Sequence, residues 1–389
     1  MGNNRFDPKI LDQNQNRLEI SDLTFTAHNM EETRVPLYDV EKSSKATTVC
    51  VTGATGYVAG PIVQRLLASG HTVHATCRDP QNEASVAHLK KLPGADERLK
   101  LFRADLLEEG SFEEAVAGCS CVMHTASPFV ANVPRGKERE VLIDPALKGT
   151  ENVIAAVNAT DCVERLIVTS SCTAIHGDPA ERGPDHVFTE DDWTIKASEK
   201  ELPYPFSKKV AEQRAYELCK EQTRWDLVTF NPGVVCGPPL GSRPDGESVN
   251  LIKVLMTGKA WPVAPKIGMG FIDVRDVAAA HCVAMADKSA NGRYILCNGS
   301  LWILDFADLL RPKYPKVWLP KANAPKAIMR LMAPLLGLPQ EFITHLYDKI
   351  PQFDNSKIKG LGLKFIDPAD TLDDMVKAVV ELGIITVKQ

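Results

Sequence analysis

Tyr204 and Lys208 stand four residues apart, with prolines at 203 and 205 and Ser207 between them. On a helix this spacing puts a phenol and an ammonium on one face. A free phenol has a pKa of about 10 and is a poor acid–base catalyst near neutrality. A nearby ammonium favours the phenolate, so Lys208 is expected to lower the Tyr204 pKa. Ser171 follows the β-branched run Val163–Thr169. Its hydroxyl can donate to an oxygen on which negative charge develops. The three side chains suit reduction of a carbonyl, with Tyr204 as proton donor. The same Tyr/Lys spacing recurs at Tyr38 with Lys42 and at Tyr216 with Lys220. Tyr38 precedes the first strand, where no strand end reaches it. Tyr216 lies a helical rise of roughly 18 Å beyond Tyr204. His124 and His281 read as satisfied strand and helix histidines. No Ser-His-Asp order stands out, and no metal cluster, so no metal is expected.

A proton donor of this kind needs a hydride carrier beside it. The stretch Thr48 to Leu67, TVCVTGATGYVAGPIVQRLL, supplies the place. Thr48–Thr52 reads as a buried strand. Gly53 and Gly56 follow, with Ala59 at the third small position. Val58, Ile62, Val63, Leu66 and Leu67 then mark one helical face. Strand, glycine turn and helix make a dinucleotide-binding fingerprint. Gly53 lets the chain turn sharply, Gly56 keeps a pyrophosphate from meeting a side chain, and the helix N-terminus attracts phosphate. Lys208 can then also hold the nicotinamide ribose hydroxyls.

These residues need a scaffold, and the remaining pattern predicts one. His71–Cys77 reads as a second strand ending at Arg78. A guanidinium there favours a 2′-phosphate, hence NADP(H) over NAD. Leu99–Arg103 is a third strand, ending at Asp105 and Leu106. Asp105 is placed either to accept from an adenine amino group or to cap a helix. Cys119–His124 is a fourth strand, and the small residues Thr125, Ala126 and Ser127 after it let the chain pass close to a cofactor. A helix from about Arg139 to Val157 is expected to bend at Pro145. A helix from Pro203 to about Cys219 and a sixth strand, Leu227–Phe230, ending at Asn231-Pro232-Gly233, complete the alternation. It predicts an α/β fold, a Rossmann-type doubly wound parallel sheet. A smaller, discontinuous C-terminal substrate-binding domain is expected beside it. The boundaries read as a polar arm over 1–45, a cofactor domain over 46–235 with about 271–300 returning to it, and a mainly substrate-binding region over 236–389. In that region Trp302, Ile303, Leu304, Phe306, Ile328, Met329, Leu331, Met332, Leu335, Leu336 and Leu338 together suggest an apolar pocket wall. In helical projection Arg330 lies opposite Ile328 and Met332 and reads as a charge on a solvated face.

Composition narrows the partners. The chain has 389 residues, 44% of them hydrophobic, enough for one large or two fused domains. A net charge of −5 gives no basic surface for nucleic acid. Ten cysteines lack disulfide or zinc spacing and fit a reducing compartment, and the polar N-terminus carries no secretory signal. A cytoplasmic location follows. Ala327–Leu338 is too short to span a bilayer and is interrupted by Arg330 and Pro334. Residues 1–45 lack periodicity and carry no visible chemistry.

The stretches VTGATGYVA, ATCRDP, ADLLEEGSFEEAV, HTASPF, PALKGTENV, VTSSCTA, FTEDDW, YPFSK, NPGVVCGPP, FIDVRDVA and FDNSK run from about Cys50 towards the C-terminus. In them the chain resembles the extended short-chain dehydrogenase/reductases. Within these it is similar to the branch of dihydroflavonol reductases, cinnamoyl-CoA reductases and microbial aldehyde and ketone reductases. The resemblance implies NADP-dependent carbonyl reduction with Ser171, Tyr204 and Lys208 as catalytic triad. It implies a cofactor site of Gly53, Thr55, Gly56, Tyr57, Val58, Arg78, Asp105, Leu106, Thr125, Ala126, Ser127, Tyr204, Lys208, Pro232, Gly233 and Val234. The substrate is then a small carbonyl compound and the protein a monomer or homodimer. Leu202-Pro203-Tyr204-Pro205 stands where the CoA reductases carry Asn-Trp-Tyr-Cys, which points away from a CoA thioester. The loop Gly241 to Gly246 departs from the flavonoid-binding pattern. Two other readings are a nucleotide-sugar epimerase or dehydratase, which recycles its cofactor, and a non-catalytic dinucleotide sensor.

Overall fold

The buried apolar runs become parallel strands. A computed structural model describes residues 36–127, 133–134, 136–241, 246–333 and 340–387. Seven strands form one sheet: β1 (Thr48–Thr52), β2 (Thr72–Cys77), β3 (Leu99–Arg103), β4 (Cys121–His124), β5 (Arg165–Thr169), β6 (Asp226–Pro232) and, after two strands of a second sheet, β9 (Gly292–Leu296). Their order is β9-β6-β5-β4-β1-β2-β3, all parallel. The chain runs outward from β1 to β3 and then returns to β4 on the other side of β1. The carboxyl ends of β1 and β4 therefore flank the topological switch point, where open α/β sheets bind ligands.

Alternate strand residues face opposite sides. Val49 and Val51 join a core with Ile62, Val63 and Leu66 of α2 (Ala59–Ala68) and Val277 and Ala280 of α6 (Val274–Ala286). Cys50, Val122 and Leu166 join one with Val153 and Ile154 of α3 (Asp144–Ala159) and Ala215 of α4 (Pro203–Cys219). One π-helical turn, Arg139–Ile143, leads into α3 with Pro145 at its start, where the bend was expected.

The second sheet contains β7 (Val234–Cys236), β8 (Gly268–Asp273) and β10 (Ser300–Trp302) in the order β10-β8-β7. It shares a core with α5 (Glu247–Met256) and α8 (Pro368–Glu381), through residues such as Val249, Phe271 and Leu372. The short helix α7 (Lys326–Met332) buries Met329 against Ile267, Ala324 and Ile343. Ile328 is 51% exposed and Leu331 76% exposed. The packed face is therefore that of Met329 and Ala333, and Ile328 and Leu331 lie off it. Leu335, Leu336 and Leu338 lie outside the described residues.

The described end of the expected arm is packed on the body. Met1 to Val35 lies outside the described residues. Beyond it, α1 (Asp39–Ser43) docks on α2: buried Glu41 accepts from Nε and Nη2 of buried Arg65, both at 2.6 Å. Removing one partner of such a pair costs about 3–5 kcal/mol. One buried residue in a five-residue helix has no periodicity to reveal it.

Candidate active site

Ser171 caps a short 3₁₀ turn, Cys172–Ala174, at the end of β5. Its Oγ accepts from the Thr173 amide at 3.2 Å and from Thr173 Oγ1 at 2.9 Å. With both lone pairs so engaged, the Ser171 proton is left to point elsewhere. Tyr204 receives it: a hydrogen bond from Ser171 stabilises the phenolate form. Tyr204 and Lys208 occupy the first turns of α4, as their spacing required. Lys208 Nζ donates to Ser127 Oγ at 2.8 Å and lies 5.8 Å from the centre of the Tyr204 ring. The carboxyl ends of β4 and β5 and the start of α4 are thereby brought together. A small pocket behind Lys208 is lined by His124, Ala126, Ser127, Ser170, Lys208 and Glu212, and Ser171 and Tyr204 do not line it.

The electrostatics differ from the sequence expectation. Burial, with the nearby Cys172 sulfur, pushes the Tyr204 phenol up to about 12, and the Ser171 hydrogen bond only partly opposes this. Burial takes the Lys208 ammonium down to about 8, against the pull of Glu212. Low dielectric thus outweighs the lowering expected from Lys208. At neutral pH Tyr204 holds its proton, the state a proton donor needs. The buried Cys172 thiol is itself drawn down, by a hydrogen bond from Cys297 first and against the effect of burial.

The glycine turn fits a dinucleotide. Gly53 has φ +65°, and a Cβ there would lie 3.0 Å from Ala126 Cα. Only glycine lets this turn and the end of β4 approach so closely. Thr55 and Gly56 complete the turn, and Val58 is the N-cap of α2 without a side-chain capping bond. In the first turn of that ten-residue helix the Gly60 amide is bonded to the Gly56 carbonyl at 3.1 Å and Pro61 has no N–H, so the attraction for a pyrophosphate comes from the helix N-terminus with the glycine turn before it. Thr52 Oγ1 accepts from the Thr125 and Ala126 amides, each at 3.1 Å, and so fixes the opposite wall. Arg78 is exposed at the end of β2, open to a 2′-phosphate.

Other expected cofactor positions have visible structural duties. Tyr57 turns its hydroxyl away to the Gly237 carbonyl, at 2.6 Å. Asp105 Oδ1 accepts from the Leu107 amide at 2.9 Å and closes a turn where no helix starts, while Leu106 lines the pocket behind Lys208. Pro232 closes β6 opposite Leu296. At Gly233 a Cβ would sit 2.5 Å from the Gly270 carbonyl carbon, so close passage of β8 demands glycine there. Val234 opens β7 beside Phe271. His124 and His281 are buried and hydrogen-bonded, to Thr52 Oγ1 at 2.9 Å and Thr169 Oγ1 at 2.8 Å. All ten cysteines are free. Among the described residues no His, Cys, Asp or Glu group is arranged for a metal, and no helix is long and apolar enough to cross a membrane.

Thr173 and Glu212 escaped the sequence reading. The Ser-x-Thr pattern at a strand end was the available signal for the first. The second stands four residues after Lys208, on the same helical face.

Residues 49–297 match the NAD dependent epimerase/dehydratase family. A cinnamoyl-CoA reductase of Medicago truncatula is 36% identical over 347 residues, covering 88% of this chain and 98% of the relative. A putative anthocyanidin reductase of Ginkgo biloba is 39% identical over 290 residues, 72% of this chain and 83% of the relative. Among solved structures, the yeast methylglyoxal/isovaleraldehyde reductase complexed with NADPH aligns with a TM-score of 0.72 at 26% identity, covering 87% of this chain and all (100%) of that one. Vestitone reductase from alfalfa aligns at 0.68 and 27% identity, with the same coverage of 87% and 100%.

Proposed function

Because this chain belongs to the NAD dependent epimerase/dehydratase family, we propose that it reduces a hydrophobic aldehyde or ketone with Tyr204 as the proton donor. The chain is an NADP(H)-dependent oxidoreductase acting on carbonyl groups, as its reductase relatives are. The contact between Lys208 Nζ and Ser127 Oγ carries the assignment of the site. It ties the helix bearing the proton donor to the strand end that faces the glycine turn.

Gly53, Gly56, the start of α2, Arg78 and Ser127 would hold NADPH, which supplies the hydride when bound. Ser171 donates to the carbonyl oxygen as charge builds there. Tyr204 releases its proton to that oxygen, and the product is an alcohol. Lys208 keeps positive charge beside the phenol, favours the phenolate left behind and holds ribose hydroxyls. Asp105, Leu106, Thr125, Ala126, Pro232, Gly233 and Val234 shape the rest of the cofactor crevice. Residues 46–235 and about 271–300 serve the cofactor, and the remainder of 236–389 mainly covers the substrate.

The apolar character of the cover supports a hydrophobic substrate. Trp261 and Trp318 pair with ring centres 5.5 Å apart and remain 50% and 69% exposed. The protein acts on a small molecule, as a monomer or homodimer in the cytoplasm. Steady-state assays with NADPH should give a kcat/KM for branched aliphatic or aryl aldehydes far above that for a sugar nucleotide, with NADP⁺ released at each turnover. A cinnamoyl thioester in the same panel tests the reading of Leu202–Pro205. Preference for the sugar nucleotide without net NADPH consumption would refute the proposal.

A further inference from the structure

Glu212 has a fully buried side chain, and four side chains converge on it from three strand regions. Ser170 Oγ donates to its Oε2 at 2.6 Å and Asn231 Nδ2 to the same oxygen at 2.8 Å. Thr229 Oγ1 donates to Oε1 at 3.0 Å and Arg293 Nε to Oε1 at 2.7 Å. The amide of Asn231 also donates to the Ser171 carbonyl at 3.1 Å. One carboxylate thus fastens α4 to the end of β5, to β6 and to β9. Lys208 stands one turn before it on the same face, and both line the pocket beside Ser170 and Ser127.

We propose that Glu212 is a positioning residue for the reduction: it holds Ser171 opposite Tyr204 and keeps Lys208 charged through the working pH range. This rests on the reading of Tyr204 and Lys208 given above. A carboxylate that only joined α4 to β9 would need Arg293 alone. Here two of its bonds lead to the backbone that carries Ser171, and its charge favours the Lys208 ammonium against burial. The groups around the pair are few. His124 on β4 faces Lys208 and is held down to about 3 by burial, with the lysine charge adding to it. Ser127 accepts from Lys208, and Tyr204 lies on its own helix. α3 brings only Ala146, Gly149 and Thr150 to the pocket. Arg293 and Tyr216 face Glu212 from the far side.

The test is the pH profile of kcat for aldehyde reduction in the full-length protein. Glu212→Gln removes the charge and keeps the shape. The wild-type alkaline limb should fall near pH 8, where Lys208 deprotonates. In Glu212→Gln it should move down by about one pH unit, with kcat at pH 7 reduced about tenfold and the aldehyde KM changed less than about threefold. Ser170→Ala, which leaves the charge, should keep the wild-type limb. An unmoved limb in Glu212→Gln, or an equal shift in Ser170→Ala, overturns the proposal. Should Glu212→Gln not fold, Glu212→Asp decides: it should keep the limb while kcat falls about fivefold or more, and an unchanged kcat overturns the positioning role. Full turnover by Tyr204→Phe would instead defeat the underlying reading of the site, whatever Glu212 does.

Discussion

The two sides of the active cleft are built differently. The floor, made by the ends of β4, β5 and β6 and the start of α4, is held by buried, directional bonds. Ser171 is locked by Thr173, Lys208 meets Ser127, and Glu212 gathers Ser170, Thr229, Asn231 and Arg293. The segments proposed above to cover the substrate, α5, α7 and those around Trp261 and Trp318, are apolar and partly exposed, as at Leu331. Directional bonds hold reacting groups to a fixed geometry, which proton and hydride transfer require. Apolar packing tolerates exchange of one shape for another. On the proposed function, the floor fixes the reaction and the cover selects the substrate.

Tyr204→Phe apart, the largest expected separation between the two comes from Ser171→Ala. Loss of one preorganised donor to the developing oxyanion should lower kcat by about 10²–10³-fold, while NADPH affinity stays put. A comparable loss of cofactor binding would show that Ser171 serves the fold of the floor and not the carbonyl. Arg78→Ala lies on the floor's outer edge. Removing a bidentate guanidinium should raise the KM for NADPH by about 10–100-fold and leave that for NADH nearly unchanged. Equal effects on both cofactors would mean that Arg78 does not read a 2′-phosphate.

Smaller still is the pH effect. Lys208 is charged below about 8 and loses its charge as pH rises through that value, whereas Tyr204, at about 12, does not titrate in the same window. Reduction should thus decline along a single alkaline limb, about tenfold per pH unit beyond it. Activity rising through pH 9 would assign the wrong protonation state to the site. Least of all, Leu331→Ser on the cover should alter kcat/KM ratios among aldehydes by only about two- to fivefold, with stability within about 0.5 kcal/mol, because the side chain is 76% exposed. A large loss of turnover with every substrate would erase the contrast between floor and cover.

The floor was more legible in the sequence than the cover, for reasons of range. Tyr204 with Lys208 and the turn at Gly53 are local constraints, written within a few residues by helical period and backbone conformation. Six of the seven parallel strands followed from runs of apolar residues separated by helices. The Glu212 network joins residues as far apart as Ser170 and Arg293, and no local pattern announces such partners. The same holds for Glu41 with Arg65. The buried face of α7 was decided by Ile267, Ala324 and Ile343, far from it in the chain. The direction of the Tyr204 shift depended on burial, which residue types alone do not give.

Turnover and NADPH binding by Tyr204→Phe, beside Tyr216→Phe, test the central claim most directly. Tyr216 shares the four-residue spacing to a lysine, but its hydroxyl meets Thr229 Oγ1 at 3.0 Å, away from Ser171. With a branched aliphatic aldehyde, Tyr204→Phe should lose about 10²–10⁴-fold in kcat, bind NADPH within about twofold of the native protein, and Tyr216→Phe should stay within a few-fold. A Tyr204→Phe protein that still turns over, or a dead Tyr216→Phe, would contradict the assignment of Tyr204 as the proton donor.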